Sequence, residues 1–180
     1  MKLYILNGSS RNNGYSSIAA ELMISELEKR YEVVYDRAIQ KKVAFCTGCD
    51  VCKSNEGKCV FSDDMDEILS HLKDSDRILI LSGIYFSALP AQLKVIIDRC
   101  QVFFNNSEKK YKQKDAFFVF FGGAKSYPEQ FLSADAEFKH VLIHINASLR
   151  KTLNFSHTDE FNGILSIEVK EKILALADAI

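Results

Sequence analysis

The sequence carries almost no net charge: 23 lysines and arginines stand against 24 aspartates and glutamates, leaving −1 overall. That balance excludes the basic footprint that binds nucleic acid or an anionic membrane surface. No apolar run approaches the ~18 residues that a membrane helix needs. The start, Met1 to Leu6, runs straight into a strand-like segment and lacks the longer apolar core and small-residue cleavage site of a signal peptide. A reducing, cytoplasmic setting is therefore expected, and disulfides explain the cysteines poorly. Prolines number only two, Pro90 and Pro128, each expected at a helix start, where a missing N–H costs nothing. Repeats, low-complexity tracts and linkers are missing, so residues 1–180 read as one domain, long enough to bury a core without staples. There is also no Ser-His-Asp or paired-carboxylate constellation, and no catalytic acid or base is nominated.

Against these absences stands a regular alternation of strand-like and helix-like segments. Strands are expected at Lys2–Leu6, Glu32–Arg37, Arg77–Ser82, Ala116–Phe121 and Leu149–Phe155. Ile78–Leu81 and Ala116–Phe121 are continuously apolar, as central parallel strands covered on both faces should be. In the first helix Ala20, Met23, Ile24, Leu27 and Tyr31 form one apolar stripe. Further helices are expected at about 64–73, 90–104, 128–146 and 166–179. Five strand–helix alternations imply a doubly wound α/β sheet, whose ligands bind beyond the carboxyl ends of the strands.

Three segments carry candidate chemistry. The loop Asn7-Gly-Ser-Ser-Arg-Asn-Asn-Gly-Tyr-Ser-Ser17 follows the first strand, holds Arg11 and four serines, and has no acidic residue. It would offer a phosphate helix N-terminal amides, hydroxyls and a guanidinium together. It has neither the Gly-Lys-Ser/Thr ending of a nucleoside-triphosphate loop nor the three-glycine dinucleotide fingerprint, and it suits a compact monophosphate. A plainer alternative is a polar turn with Ser16 as N-cap. The loop Ser82–Pro90 places Ile84, Tyr85, Phe86 and Leu89 where a planar ring could be walled in, or where a second subunit could pack. Gly122-Gly123, after the fourth strand, would let backbone N–H groups approach a ligand edge.

Four of the five cysteines, Cys46, Cys49, Cys52 and Cys59, sit within one short segment at spacings of three, three and seven. Three readings compete: a 4Fe–4S cluster, an all-cysteine zinc site, or a metal-free loop of packing or redox-sensitive thiols. Gly48 and Gly57 would permit tight turns, and Phe45, Val60 and Phe61 would shield the sulfurs. Cys100 is expected in the core or an interface.

Taken together, the serine-rich loop, the cysteine cluster and the Tyr-containing loop leading into Ala91-Gln-Leu-Lys-Val-Ile-Ile-Asp-Arg99 resemble the flavodoxin-fold NAD(P)H-dependent FMN reductases, in particular the branch with the iron–sulfur flavoproteins. The resemblance covers about residues 1–125. It implies a five-stranded parallel sheet of order 2-1-3-4-5 and an enzyme passing electrons from NAD(P)H through FMN to a quinone, a flavin or another small-molecule or protein acceptor. By the same likeness the FMN phosphate lies on Ser9, Arg11, Ser16 and Ser17 with Tyr15 alongside. The isoalloxazine then meets Ile84, Tyr85, Phe86, Ser87, Gly122 and Gly123, and the four cysteines match the spacing of 4Fe–4S ligands. Asp98 and Arg99 match the family's helix motif and are read as structural. The chain departs from the family pattern at Gly83, where proline is common, Ser87, where glycine is common, and Pro90, where a small residue is usual. A non-enzymatic electron carrier is the alternative. The apolar loop 84–89 and the phenylalanines between Phe103 and Phe121 suggest a homodimer or homotetramer.

Other groups are discounted. Glu137, His140 and His144 lack a metal motif, the run 108–114 reads as a solvated loop or a weak nicotinamide-phosphate contact, and Asp63 and Asp64 are expected to cap the following helix.

Overall fold

The computed structural model describes residues 1–106 and 111–180. Five parallel strands, β1 (Lys2–Asn7), β2 (Glu32–Arg37), β3 (Arg77–Ile84), β4 (Lys114–Gly122) and β5 (Ala147–Phe155), form one sheet of order β2-β1-β3-β4-β5. The expected fold and strand order are those observed. Successive residues of each strand face opposite sides. Tyr4, Leu6, Ile78, Ile80, Phe118 and Phe120 therefore enter one core, while Leu3, Ile5, Leu79, Leu81, Phe117, Val119 and Phe121 enter the other.

Helices α1 (Tyr15–Leu27) and α7 (Ile167–Ala179) cover the second core. The first is covered by α3 (Met65–Asp74), α4 (Ala91–Arg99), α5 (Gln101–Phe104) and α6 (Leu132–His144), with α2 (Val51–Ser54) a single turn inside the cysteine segment. Pro90 is the N-cap of α4, as expected. Pro128 is not at a helix start: it lies in a turn, and α6 begins at Leu132. Of the run 108–114, residues 108–110 fall outside the described residues. Lys112 and Lys114 lie by the amino end of β4, away from the strand ends that bind ligands, which removes them from a cofactor role.

The phenylalanine-rich segment is core, not surface: Phe103, Phe117, Phe118, Phe120 and Phe121 are all buried and only Phe104 is half-exposed. Its contribution to the expected apolar interface is therefore small. Among the described residues no helix is long and apolar enough to cross a membrane.

Candidate active site

The order β2-β1-β3 makes the gap between β1 and β3 the switch point, where chains leave in opposite directions and a crevice opens. Asn7, wholly buried at the end of β1, organises the loop that follows. Its Oδ1 accepts from Ser9 N–H at 2.9 Å, and its Nδ2 donates to Ser17 Oγ at 3.1 Å and to the Tyr35 hydroxyl at 2.9 Å. The Arg11 carbonyl is the hub of the loop. It accepts from Ser9 Oγ at 2.9 Å, Ser17 Oγ at 3.1 Å and an Arg37 terminal nitrogen at 3.0 Å.

Two of the serines placed on a phosphate are thus occupied in shaping the loop. Ser16 is not an N-cap, because Gly14 holds that position without a side-chain cap. Instead Ser16 sits in the first helical turn, nearly buried, with a hydroxyl that has no partner among the described residues. Gly14 is required by fit, since a Cβ there would stand 2.5 Å from Ser9 Oγ. Tyr15 is a wall: its hydroxyl accepts from Gly163 N–H at 2.8 Å and its ring packs edge-on against Phe161.

After β3 the backbone turns back at once. Tyr85 and Ala88 exchange hydrogen bonds of 2.9 and 3.0 Å, and the two central residues, Phe86 and Ser87, have φ of 47° and 59°. Positive φ at both centres is the type I′ geometry that favours Asn-Gly, and for a phenylalanine it is a strained backbone. Ser87 stands in the left-handed region at the place where the family pattern has glycine. The Phe86 ring is fully exposed at the tip. Ser87 Oγ meets the Tyr127 hydroxyl at 2.8 Å, and the Tyr85 hydroxyl lies 3.5 Å from Ser10 Oγ, so the turn touches both neighbouring loops.

These segments enclose a cavity of about 530 Å³ beyond the strand ends, within the range of cofactor sites. Ser9, Arg11, Tyr15, Ser16, Ile84, Tyr85, Phe86, Ser87, Gly122 and Gly123 all line it, whereas Ser17 lies beneath the loop and does not. Gly122 and Gly123 are glycine for an internal reason as well. A Cβ on the first would overlap Gln130 Nε2 at 2.4 Å, and on the second Asp159 Oδ1 at 2.6 Å. Tyr127, Gln130, Thr158, Asp159 and Gly163 also line the cavity and were not anticipated. Tyr127 could have been found from its place just after the fourth strand. The segment 158–163 has no local signature and reaches the site only through the sheet order.

The cysteine segment lies on the other flank of α4. Arg99, 1% exposed, donates to the Ala44 carbonyl at 2.8 Å and to both Asp63 oxygens at 2.8 and 3.3 Å, and its guanidinium lies over the Phe61 ring. Burial would raise the Asp63 carboxyl, but hydrogen bonds from Arg99 and from the N–H groups of Ala44 and Met65 hold it below its usual range. Asp63 therefore closes the base of the segment, its carboxylate accepting from Met65 N–H and its carbonyl from Asp66 N–H at the start of α3, while the Asp64 carboxylate accepts from Lys42 N–H. Asp64 is thus the N-cap residue of α3, as expected, but without a side-chain cap bond, and Asp63 serves the Arg99 clamp as well. Gly48 and Gly57 take positive φ as expected; Val60, though largely exposed, and Phe61 border the cavity of the cysteines, whereas Phe45 is exposed and does not. All four cysteines border one small cavity together with Arg99. As they stand, no three His, Cys, Asp or Glu groups among the described residues are close enough to share an ion. Cys100 is core, and burial pushes its thiol up to about 12.

The sequence profile of the NADPH-dependent FMN reductases matches residues 1–158. The chain belongs to this family. It is 34% identical to an iron–sulfur flavoprotein of Archaeoglobus fulgidus over 131 residues, 72% of this chain and 58% of that one. It is 36% identical to an iron–sulfur flavoprotein of Methanocaldococcus jannaschii over 100 residues, 55% of this chain and 51% of that one. The chain thus spans a little more than half the length of these curated relatives. A solved structure of an FMN-dependent NADH-azoreductase from Bacillus anthracis with FMN superposes at TM-score 0.65 over 98% of this chain and all of that one. At 13% identity this likeness shows the fold alone.

In this FMN reductase family member the matched region ends at Thr158, yet Asp159 and Gly163 border the cavity. Away from it, Glu137, His140 and His144 form no metal group; burial, and then His140, depress His144.

Proposed function

We propose that the chain is an FMN-dependent NAD(P)H oxidoreductase that delivers electrons to a quinone, a flavin or another small acceptor. The observation that carries this is the cavity at the β1/β3 switch point, polar and cationic at one end, aromatic and glycine-lined at the other. A phosphorylated planar ring fits that division. The Ser16 hydroxyl, the first-turn amides of α1 and Arg11 would hold the phosphate, with the helix dipole adding to the attraction. Ile84, Tyr85, Phe121, Gly122 and Gly123 would flank the ring, and Phe86, Ser87 and Tyr127 would form the rim that admits a second planar molecule.

FMN, when bound, supplies the acceptance of hydride and the onward passage of electrons. The side chains need only position the rings, exclude water and donate hydrogen bonds. Purified protein should be yellow, release FMN rather than FAD on denaturation, and oxidise NAD(P)H in steady state with a quinone or free flavin. FAD, or no flavin, would sink the reading.

The second reading, an iron–sulfur flavoprotein electron carrier, is favoured by the four cysteines bordering one cavity. Cys46, Cys49, Cys52 and Cys59 would be the ligands, once the segment draws their sulfurs together. Iron and sulfide near four atoms each per chain after anaerobic purification, with iron lost in Cys49→Ser and flavin retained, is the expected signature. Zinc, or neither metal nor sulfide, would leave the zinc or thiol-only alternatives. A homodimer or homotetramer in the cytoplasm completes the proposal; the exposed Phe86 at the rim supports an interface there.

A further inference from the structure

Arg37 ends β2, the edge strand, and lines no part of the cavity, yet it reaches across to the phosphate loop. One terminal nitrogen donates to Asn12 Oδ1 at 2.7 Å and the other to the Arg11 carbonyl at 3.0 Å. Both partners are neutral. Its neighbour Asp36 is committed elsewhere, to Lys41 at 2.6 Å, His71 at 3.1 Å and the Tyr4 hydroxyl at 3.1 Å. Among the described residues no carboxylate lies within ion-pair distance of Arg37, and its Nε is buried without a partner. A guanidinium normally held by a carboxylate is here placed behind an anion loop with its charge uncancelled.

From this we infer that Arg37 is a positioning residue for the phosphate site, one that makes the chain select a flavin carrying a phosphate over one without it. The inference rests on the flavin reading above. Two effects act together. Arg37 fixes the Arg11 carbonyl, already held by Ser9 and Ser17, so that Arg11 and the first-turn amides keep their aim. Its charge also adds to that of Arg11 in a loop free of acidic residues, well within a Debye length of any anion held there. Neither effect reaches the aromatic end of the cavity, so the ring itself should be bound as before.

The test is titration of the 180-residue chain, stripped of flavin, with FMN and with riboflavin, followed by quenching of flavin fluorescence. Arg37→Met should weaken FMN about 10- to 100-fold, the range for a lost hydrogen bond to or from a charged group, and riboflavin less than twofold. Arg37→Lys, which keeps the charge and one donor, should recover a large part of the loss. Asn12→Ala, an exposed change that removes one Arg37 partner, should show a smaller loss of the same selectivity and serves if Arg37→Met does not fold. Equal losses for both flavins, or unchanged FMN affinity in Arg37→Met or, where that variant does not fold, in Asn12→Ala, would overturn the inference. A wild-type chain that binds neither flavin would overturn the flavin reading itself.

Discussion

Arg11 is exposed, lines the cavity and makes no side-chain hydrogen bond among the described residues, in contrast to Arg37 behind it. It is therefore the guanidinium available to touch a phosphate. Arg11→Ala should weaken FMN binding by ~1.5–3 kcal/mol, the worth of a charge-assisted hydrogen bond, while the unfolding midpoint in urea stays where it was. Unchanged affinity would show that Arg11 does not face the phosphate. The loop was legible in the sequence as a loop for an anion, because hydroxyls, an arginine and a missing acid are compositional facts. The division of labour within it was not. Ser9, Ser16 and Ser17 look alike in one dimension, and only the Arg11 carbonyl, which claims the first and third, separates the shaping hydroxyls from the free one. Tyr15 lines the cavity, but its partner, Gly163, was not legible, because it lies far along the chain and nothing local announces it.

The turn 85–88 stores strain where an ordinary hairpin would use Asn-Gly. Such strain persists when the surrounding structure holds it, and it collects at functional sites. Replacing both central residues, Phe86→Asn with Ser87→Gly, should stabilise the fold by about 1 kcal/mol and at the same time lower kcat/KM for NAD(P)H, since the rim loses an aromatic face. A stabilised variant of unchanged activity would show that the strain has no functional counterpart. The cysteine segment has the opposite design, a long excursion closed at its base by one buried ion pair. Arg99→Met leaves Asp63 without its cation and should cost about 3–5 kcal/mol, read by urea unfolding. A loss below about 1 kcal/mol, the usual worth of an exposed pair, would mean that the base is held by its backbone bonds. Asp63 has a depressed carboxyl, so its share of stability is complete above the ordinary aspartate range and is lost as pH falls below it. The spacing of the cysteines predicted that they would gather, and they do border one cavity. It could not predict the clamp, which joins Ala44 and Asp63, from the irregular stretches at the two ends of the segment, to Arg99 of α4.

At the scale of the molecule, the sheet was readable because its two central strands are buried on both faces and admit almost nothing but apolar side chains. The start of α6 was not, because a proline marks a turn as readily as a helix start. The sheet also separates two ends of different chemistry. The carboxyl ends hold the cavity, while the amino end of β4 holds Lys114, 2% exposed. Its ammonium donates to the carbonyls of Leu72 at 3.2 Å, Lys73 at 2.8 Å and Ile145 at 3.4 Å, so one cation serves the carboxyl-terminal ends of α3 and α6. Burial, then the charge of Lys112, pushes Lys114 down to about 8, against the pull of Asp74 and Asp76. Between that value and the ordinary lysine value of about 10.4 the unfolded chain binds a proton that the folded chain does not, so this group makes stability rise with pH. The rise should reach at most ~3 kcal/mol if the whole shift is expressed. The comparison that isolates it is urea unfolding at pH 7.5 and 9.5 for the wild type and Lys114→Met. Other lysines, tyrosines and thiols titrate in both proteins, but only the wild type has Lys114. The variant should be less stable at both pH values, because the three carbonyls lose their hydrogen-bond donor, and its change between them should be displaced toward loss of stability relative to the wild type. Parallel changes in the two proteins would show that Lys114 keeps its proton throughout, with the three carbonyls outweighing its burial.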